Sequence, residues 1–277
     1  ASDVYKRQDH LLIFMTTAKY SPGYQPAVIA THKWRSAENS AAFLLPHLRK
    51  TYHLLDVGSG AGTITCDLTS YVKSVTALEV NEHAMEITRK EAKLRGIELK
   101  YTVSDVCSMP FEDNTFDVVH VHQVLQHVAD PVMALNEIRR VTKLGGIVAV
   151  TEAISSAFSW YPEFSMLDDW LKLYRNLAIS NGGQPDAGTR LLDWAQRVGF
   201  THIKPGSSTW CFATAEEREY WGGAWENRVL TANMAEDARI KHIPEETLEK
   251  MSQAWAHWKK CNNGCMIIPH GNILAKK

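Results

Sequence analysis

One stretch narrows the folds open to this chain more than any other: Leu54-Leu55-Asp56-Val57-Gly58-Ser59-Gly60-Ala61-Gly62-Thr63-Ile64-Thr65. Its first part is apolar and β-prone, the pattern of a strand buried on both faces. Glycines at alternate positions then let the backbone turn sharply and lie against a ligand, because no Cβ intervenes. The residues from Thr63 onward can begin a helix. A strand, a glycine turn and a helix in that order form a cofactor loop of the nucleotide-binding kind. The dinucleotide fingerprint G-x-G-x-x-G asks for a third glycine where this chain has Thr63, and the third glycine arrives early, at Gly62.

Downstream, strands and helices alternate. Ser74 to Val80 reads as a second strand with Glu79 at its carboxyl end. A carboxylate there can accept hydrogen bonds from both hydroxyls of a ribose. Asn81 caps a helix that runs to Arg95 and stops at Gly96. A third strand, Leu99 to Ser104, delivers Asp105-Val106 to the same edge. The fourth, Phe116 to His122, leads into Gln123 and on to His127. Asp130-Pro131 opens a helix to Thr142, and Ile147 to Ala153 forms a fifth strand carrying Glu152. This order predicts a parallel sheet with helices on both faces, and such sheets bind ligands at the carboxyl ends of their strands. Asp56 to Gly62, Glu79, Asp105, His122-Gln123 and Glu152 all fall there.

The glycine run resembles the first motif of class I S-adenosylmethionine (SAM) methyltransferases, D-x-G-x-G-x-G, with Asp56, Gly58, Gly60 and Gly62 in the motif positions. The block from Met109-Pro110-Phe111 through Phe116-Asp117 and Leu125-Gln126-His127 to Gly145-Gly146 is similar to the ubiquinone/menaquinone-biosynthesis-like group of that family. The resemblance implies an α/β, Rossmann-like sheet of seven strands with the last antiparallel, an N-terminal helical cover and a helical lid insertion over about residues 214–263. It implies SAM as cofactor and S-adenosylhomocysteine (SAH) as product. The cofactor-binding positions it implies are Tyr20, Arg35, Asp56, Gly58, Ser59, Gly60, Gly62, Thr63, Glu79, Val80, Asp105, Val106, His122 and Gln123. Asp105 would receive the adenine amino group and Val106 would pack on the ring. In one respect the chain departs from the family: two adjacent histidines often follow the fourth strand, and here the pair is Gln126-His127.

The remaining features set limits. A chain of 277 residues can bury a full core, and a net charge of −1 leaves no footprint for nucleic acid. Five scattered cysteines point to reduced thiols, and no apolar run is long enough to span a bilayer, so a cytoplasmic setting is expected. Residues 1–14 read as a leader foreign to the fold, ahead of Met15, and 15–277 as a single methyltransferase domain. Trp34 to Pro46 reads as an amphipathic helix. Phe200 to Lys204 and Ser208 to Ala213 read as a sixth strand or a hairpin, and Met266 to Leu274 as the seventh. Thr214 to Glu217 forms a capping box, opening a helical stretch broken at Gly222-Gly223 and Pro244.

The partner expected is a small, apolar or aromatic acceptor. For an acidic nucleophile, His122, His127 or Glu152 can take the proton. No metal is expected, because His120, His122 and His127 lack a carboxylate or cysteine at ligand spacing. Trp160, Trp210, Trp221 and Trp225 fall where a lid belongs, and can stack on a ring or attract a cation. Other readings of the same residues are an NAD(P)-dependent oxidoreductase, a non-catalytic SAM-binding regulator, and a SAM-dependent enzyme that does not transfer methyl, such as a pericyclase.

Overall fold

The structure is a computed structural model and describes residues 23–277. Tyr20 and the 1–14 segment lie outside the described residues. Strands β1 (His53–Val57), β2 (Ser74–Glu79), β3 (Lys100–Val103), β4 (Phe116–His122) and β5 (Thr142–Ala153) pair in parallel. The last strand, β8 (Cys265–Lys276), runs antiparallel to β5. The order is β3-β2-β1-β4-β5-β8. Neighbouring strands reverse direction of crossover at β1 and β4, and a crevice forms there outside the strand ends.

Among the described residues the sheet has eight strands, where seven are expected. The additional one, β6 (Ser159–Tyr161), continues along β8 beyond β5. The expected sixth strand or hairpin is one strand, β7 (Thr201–Phe212), on the other side of β8. It is an edge strand, which is why it accommodates Pro205.

Both faces of the sheet are covered. On one, Leu55, Val119, Val121, Val148 and Val150 meet α5 (Pro131–Val141) and α7 (Leu191–Val198). On the other, Leu54, Val118 and Ala149 meet α2 (Ala37–Ser40) and α3 (Thr63–Leu68). Helix α4 (Glu82–Arg95) begins at the Asn81 cap and ends at Gly96 in the left-handed region, as the sequence requires.

The N-terminal cover differs from expectation. Trp34 to Pro46 is not one helix: α2 spans only Ala37–Ser40, followed by a 3₁₀ turn at Leu45–His47. The Asn39 amide folds back onto Trp34 O (2.8 Å) and the Ser36 N–H (2.8 Å), closing a compact cap. A helix not foreseen from the sequence, α1 (Pro26–His32), lies against the insertion.

The insertion forms α8 (Ala215–Thr231), α9 (Asn233–Ile240) and α10 (Glu245–Trp258), which share a separate apolar core with α6 (Ser165–Ser180). Helix α8 does not break at Gly222-Gly223. A Cβ on Gly222 would stand 2.7 Å from Lys259 Cβ and 3.1 Å from the Trp258 ring, so this glycine serves close helix approach instead.

Candidate cofactor and acceptor site

The carboxyl ends of β1, β2 and β4 open on a cavity of about 550 Å³, within the range of cofactor sites. At its floor the chain turns through Gly58, Gly60 and Gly62, all with positive φ (70°, 56° and 79°). Each glycine has its own reason. A Cβ on Gly58 would reach Val124 Cγ2 at 2.4 Å, whereas a Cβ on Gly60 meets nothing nearer than 3.8 Å and leaves the backbone bare to the cavity. Gly62 faces away, where a Cβ would stand 3.1 Å from Thr88 Cα.

Glu79 closes one side. Its Oε1 accepts the Gly60 N–H at 2.5 Å, and burial pushes its carboxyl up to about 7 against the pull of that bond and the Val80 N–H. A buried carboxylate at a cavity rim, drawn on only by neutral donors, suits hydroxyl groups. Val80, Asp105 and Val106 follow along the same wall. Across from them stand Arg35, His122, Gln123 and His127.

Gln123 organises that second wall. It sits at φ 54°, an uncommon conformation for a residue with a side chain. The strain places its amide between two partners: Oε1 accepts from Arg35 Nη2 (2.8 Å), and Nε2 meets His270 Nε2 (2.8 Å). His122 is buried beside it, and neither ring nitrogen is hydrogen-bonded among the described residues. Burial, then the Arg35 charge, holds His122 well below the ordinary histidine value, and the same causes bring His127 down to about 3. Both rings are therefore neutral at neutral pH.

Several expected site residues serve the frame instead of the cavity. Asp56 accepts from Thr65 Oγ1 (2.5 Å) and meets His120 Nδ1 (2.7 Å), tying the strand to α3 and β4. Ser59 bonds Thr88 Oγ1 (2.8 Å). Thr63 is buried in the first turn of α3. Asp56, Ser59, Gly62 and Thr63 do not line the cavity.

Glu152 is likewise separated from it. The residue is 0% exposed; Oε1 accepts the N–H groups of Val124 (2.9 Å) and Leu125 (2.7 Å), and Oε2 that of Gln126 (3.1 Å). Its carboxyl group caps the 3₁₀ turn Leu125–His127, whereas the sequence suggests a proton acceptor at the sheet edge, and burial pushes it up to about 8. Tyr20 lies outside the described residues, and Tyr24 lines the cavity.

Tyr24, His32, His270 and Arg228 are the residues that sequence reasoning missed. Tyr24 and His32 come from the unforeseen N-terminal segment, and His270 reaches Gln123 from the last strand. No spacing in the sequence links these to the glycine loop. Among the described residues, no group of three or more His, Cys, Asp or Glu side chains is placed to hold a metal, and no helix is long and apolar enough to cross a membrane.

Residues 55–150 match the family described as a methyltransferase domain. The chain is 34% identical over 270 residues to an uncharacterized methyltransferase of Schizosaccharomyces pombe, covering 93% of this chain and 96% of that one. Over 109 residues it is 37% identical to a demethylmenaquinone methyltransferase of Staphylococcus aureus (38% of this chain, 44% of the relative). Among solved structures it resembles the Haemonchus contortus phosphoethanolamine N-methyltransferase 2 in complex with phosphomonomethylethanolamine and SAH. That match has a TM-score of 0.58 and 16% identity, over 92% of this chain and 58% of the other, and speaks for the fold. A relative this similar along nearly its whole length, with a bare glycine turn and a strand-end acid facing one cavity, places the chain in the class I SAM-dependent methyltransferase family.

Proposed function

We propose that this protein methylates a small, apolar or aromatic acceptor, with SAM held along the β1–β2–β3 ends and the acceptor entering from the Gln123 side. The observation that carries this reading is a second recess, of about 60 Å³, that shares His32, Arg35, Gln123 and His127 with the large cavity. The two spaces thus adjoin across these four side chains, as a transfer between two bound molecules requires.

The residues suit the cofactor. Gly60 offers unobstructed backbone, Glu79 accepts from ribose hydroxyls, Asp105 from the adenine amino group, and Val80 and Val106 give apolar walls. When bound, SAM supplies a methyl group on a positively charged sulfur. The chain itself contributes position and exclusion of water. Trp221 and Trp225, both buried on α8, wall the recess, so the insertion acts as its lid. Trp255 and Trp258, 0% exposed, belong to the core beneath.

Where the acceptor atom carries a proton, His122 takes it. Its ring is neutral, lines the large cavity and has no hydrogen bond to give up among the described residues. His127 lies nearby but its Nε2 already meets Gln126 Nε2 at 3.1 Å.

The test is SAH release from SAM over a panel of phenols, thiols and enols, followed by His122→Asn on the best acceptor. The variant should lose roughly 100-fold or more in kcat and keep its affinity for SAH. Unchanged kcat in a folded variant removes His122 as the base. SAH binding without turnover of any acceptor removes the methyl-transfer reading.

A further inference from the structure

The small recess has an unusual wall. Phe158, Tyr174, Trp210, Trp221 and Trp225 surround it, an aromatic lining that from sequence alone suits either a flat ring or a cation. In the fold, two of those indoles already carry a cation. The Arg228 guanidinium carbon lies 3.9 Å from the Trp225 ring centroid, and that of Arg35 lies 5.4 Å from the Trp210 centroid. Arg228 is buried and fixed by its Nη1 bond to Thr31 Oγ1 (3.2 Å); Arg35 is fixed by Gln123. Both guanidinium groups line the recess, and no acidic side chain among the described residues does.

An ammonium group entering this space would find those two indole faces already occupied and would stand beside guanidinium groups that offer it donors and no acceptor. The neighbouring histidines register the same field: the Arg35 charge adds to burial in lowering His32, His122, His127 and His270.

A second observation points the same way. The indole N–H groups of Trp221 and Trp225 are buried without an acceptor among the described residues. Trp170 and Trp255 also lack one, but they border neither cavity, whereas Trp221 and Trp225 line the recess. At the recess the polar groups of the lid are donors, and a buried donor gains most from a lone pair on oxygen.

We propose that this recess takes a planar, oxygen-bearing group of the acceptor, a carboxylate or a carbonyl, and rejects ammonium-bearing acceptors. The proposal rests on reading the larger cavity as the cofactor site. It also separates this chain from the amine chemistry named for its structural neighbour, a likeness that concerns fold alone.

The test uses the full chain saturated with SAH and three probes of one shape: 4-hydroxybenzoate, 4-hydroxybenzamide and tyramine. Affinity is read by calorimetry, and the indole N–H resonances of Trp210, Trp221 and Trp225 by proton–nitrogen correlation spectra. The carboxylate should bind roughly tenfold or more tightly than the amine and should shift the Trp221 or Trp225 resonance. An amide that binds as well as the carboxylate, with the amine excluded, assigns the recess to carbonyl oxygen; a carboxylate well ahead of the amide assigns it to an anion.

Arg228→Met should bring carboxylate and amine to similar affinity, and Arg228→Lys should retain the preference. If Arg228→Met does not fold, the spectra of the unmodified protein decide. Tyramine binding as tightly as the carboxylate overturns the proposal. So does a carboxylate that fails to bind up to its solubility limit, or one that moves none of the three indole signals, while SAH binds. Failure of SAH itself to bind overturns the cofactor reading instead.

Discussion

Replacing Glu79 by glutamine should make the protein more stable and a poorer binder of SAH at the same time. Glutamine keeps an oxygen for the Gly60 N–H, so the loop retains its bond and only the charge is removed. In the folded chain burial raises this carboxyl from 4.5 to about 7. A carboxyl with a higher pKa folded than unfolded holds its proton more tightly when folded. Its favourable contribution is therefore present below about pH 4.5 and lost as pH rises through about 7. At 1.36 kcal/mol per pH unit, the ionised group costs about 3 kcal/mol at pH 8, an upper bound because neighbours relax.

Glu79→Gln should then melt roughly 5–10 °C above the parent at pH 8, and the gap should close near pH 5. Binding moves the other way. Hydroxyl donors from a ribose favour the ionised form, so the parent's SAH affinity should fall as pH drops below about 7. The variant should lose that pH dependence and bind SAH about 1.5–3 kcal/mol more weakly, the range for a hydrogen bond to a charged group, or roughly 10- to 150-fold. Thermal melts at the two pH values and calorimetry with SAH measure both quantities. A variant that melts at or below the parent at pH 8, or that binds SAH equally well, would refute the assignment of a buried, ribose-facing carboxylate.

Two further substitutions probe the frame of the site. Gly58→Ala places a methyl 2.4 Å from Val124 Cγ2 at a positive φ, so it should cost about 1–3 kcal/mol in urea unfolding. Its SAH affinity should also fall, because the Gln123–Val124 wall must move; wild-type stability would show that the loop is not constrained as described. Glu152→Leu leaves the buried N–H groups of Val124, Leu125 and Gln126 without their acceptor, and should destabilise the fold by about 2 kcal/mol or more. If it lowers kcat while leaving unfolding unchanged, Glu152 has a role in proton transfer after all.

What could be read from the chain and what could not divide along a physical line. Local chemistry carried the glycine turn, the Asn81 and Thr214 caps, the Gly96 stop and the strand-end acids Glu79 and Asp105, since each depends on residues close in sequence. The alternation of strands and helices did the same for the parallel sheet and, with it, for the edge at which a ligand binds. Other outcomes needed the packed molecule. Gly222 reads as a helix breaker until Trp258 is seen against it, and Asp56 as a ligand residue until Thr65 and His120 claim both its oxygens.

Glu152 looks like a base on the sheet edge, and in the fold its oxygens already accept the backbone N–H groups of a turn. Likewise Trp225 can attract a cation in principle, but Arg228, three residues on in the same helix, already lies over its face. The recess beside the large cavity is assembled from α1, β5, α6, β7, α8 and β8, segments far apart in the chain. A sequence pattern records what each residue can do. Which partner satisfies it is decided by burial, where a hydrogen bond or a charge already met inside the fold is no longer available to a ligand.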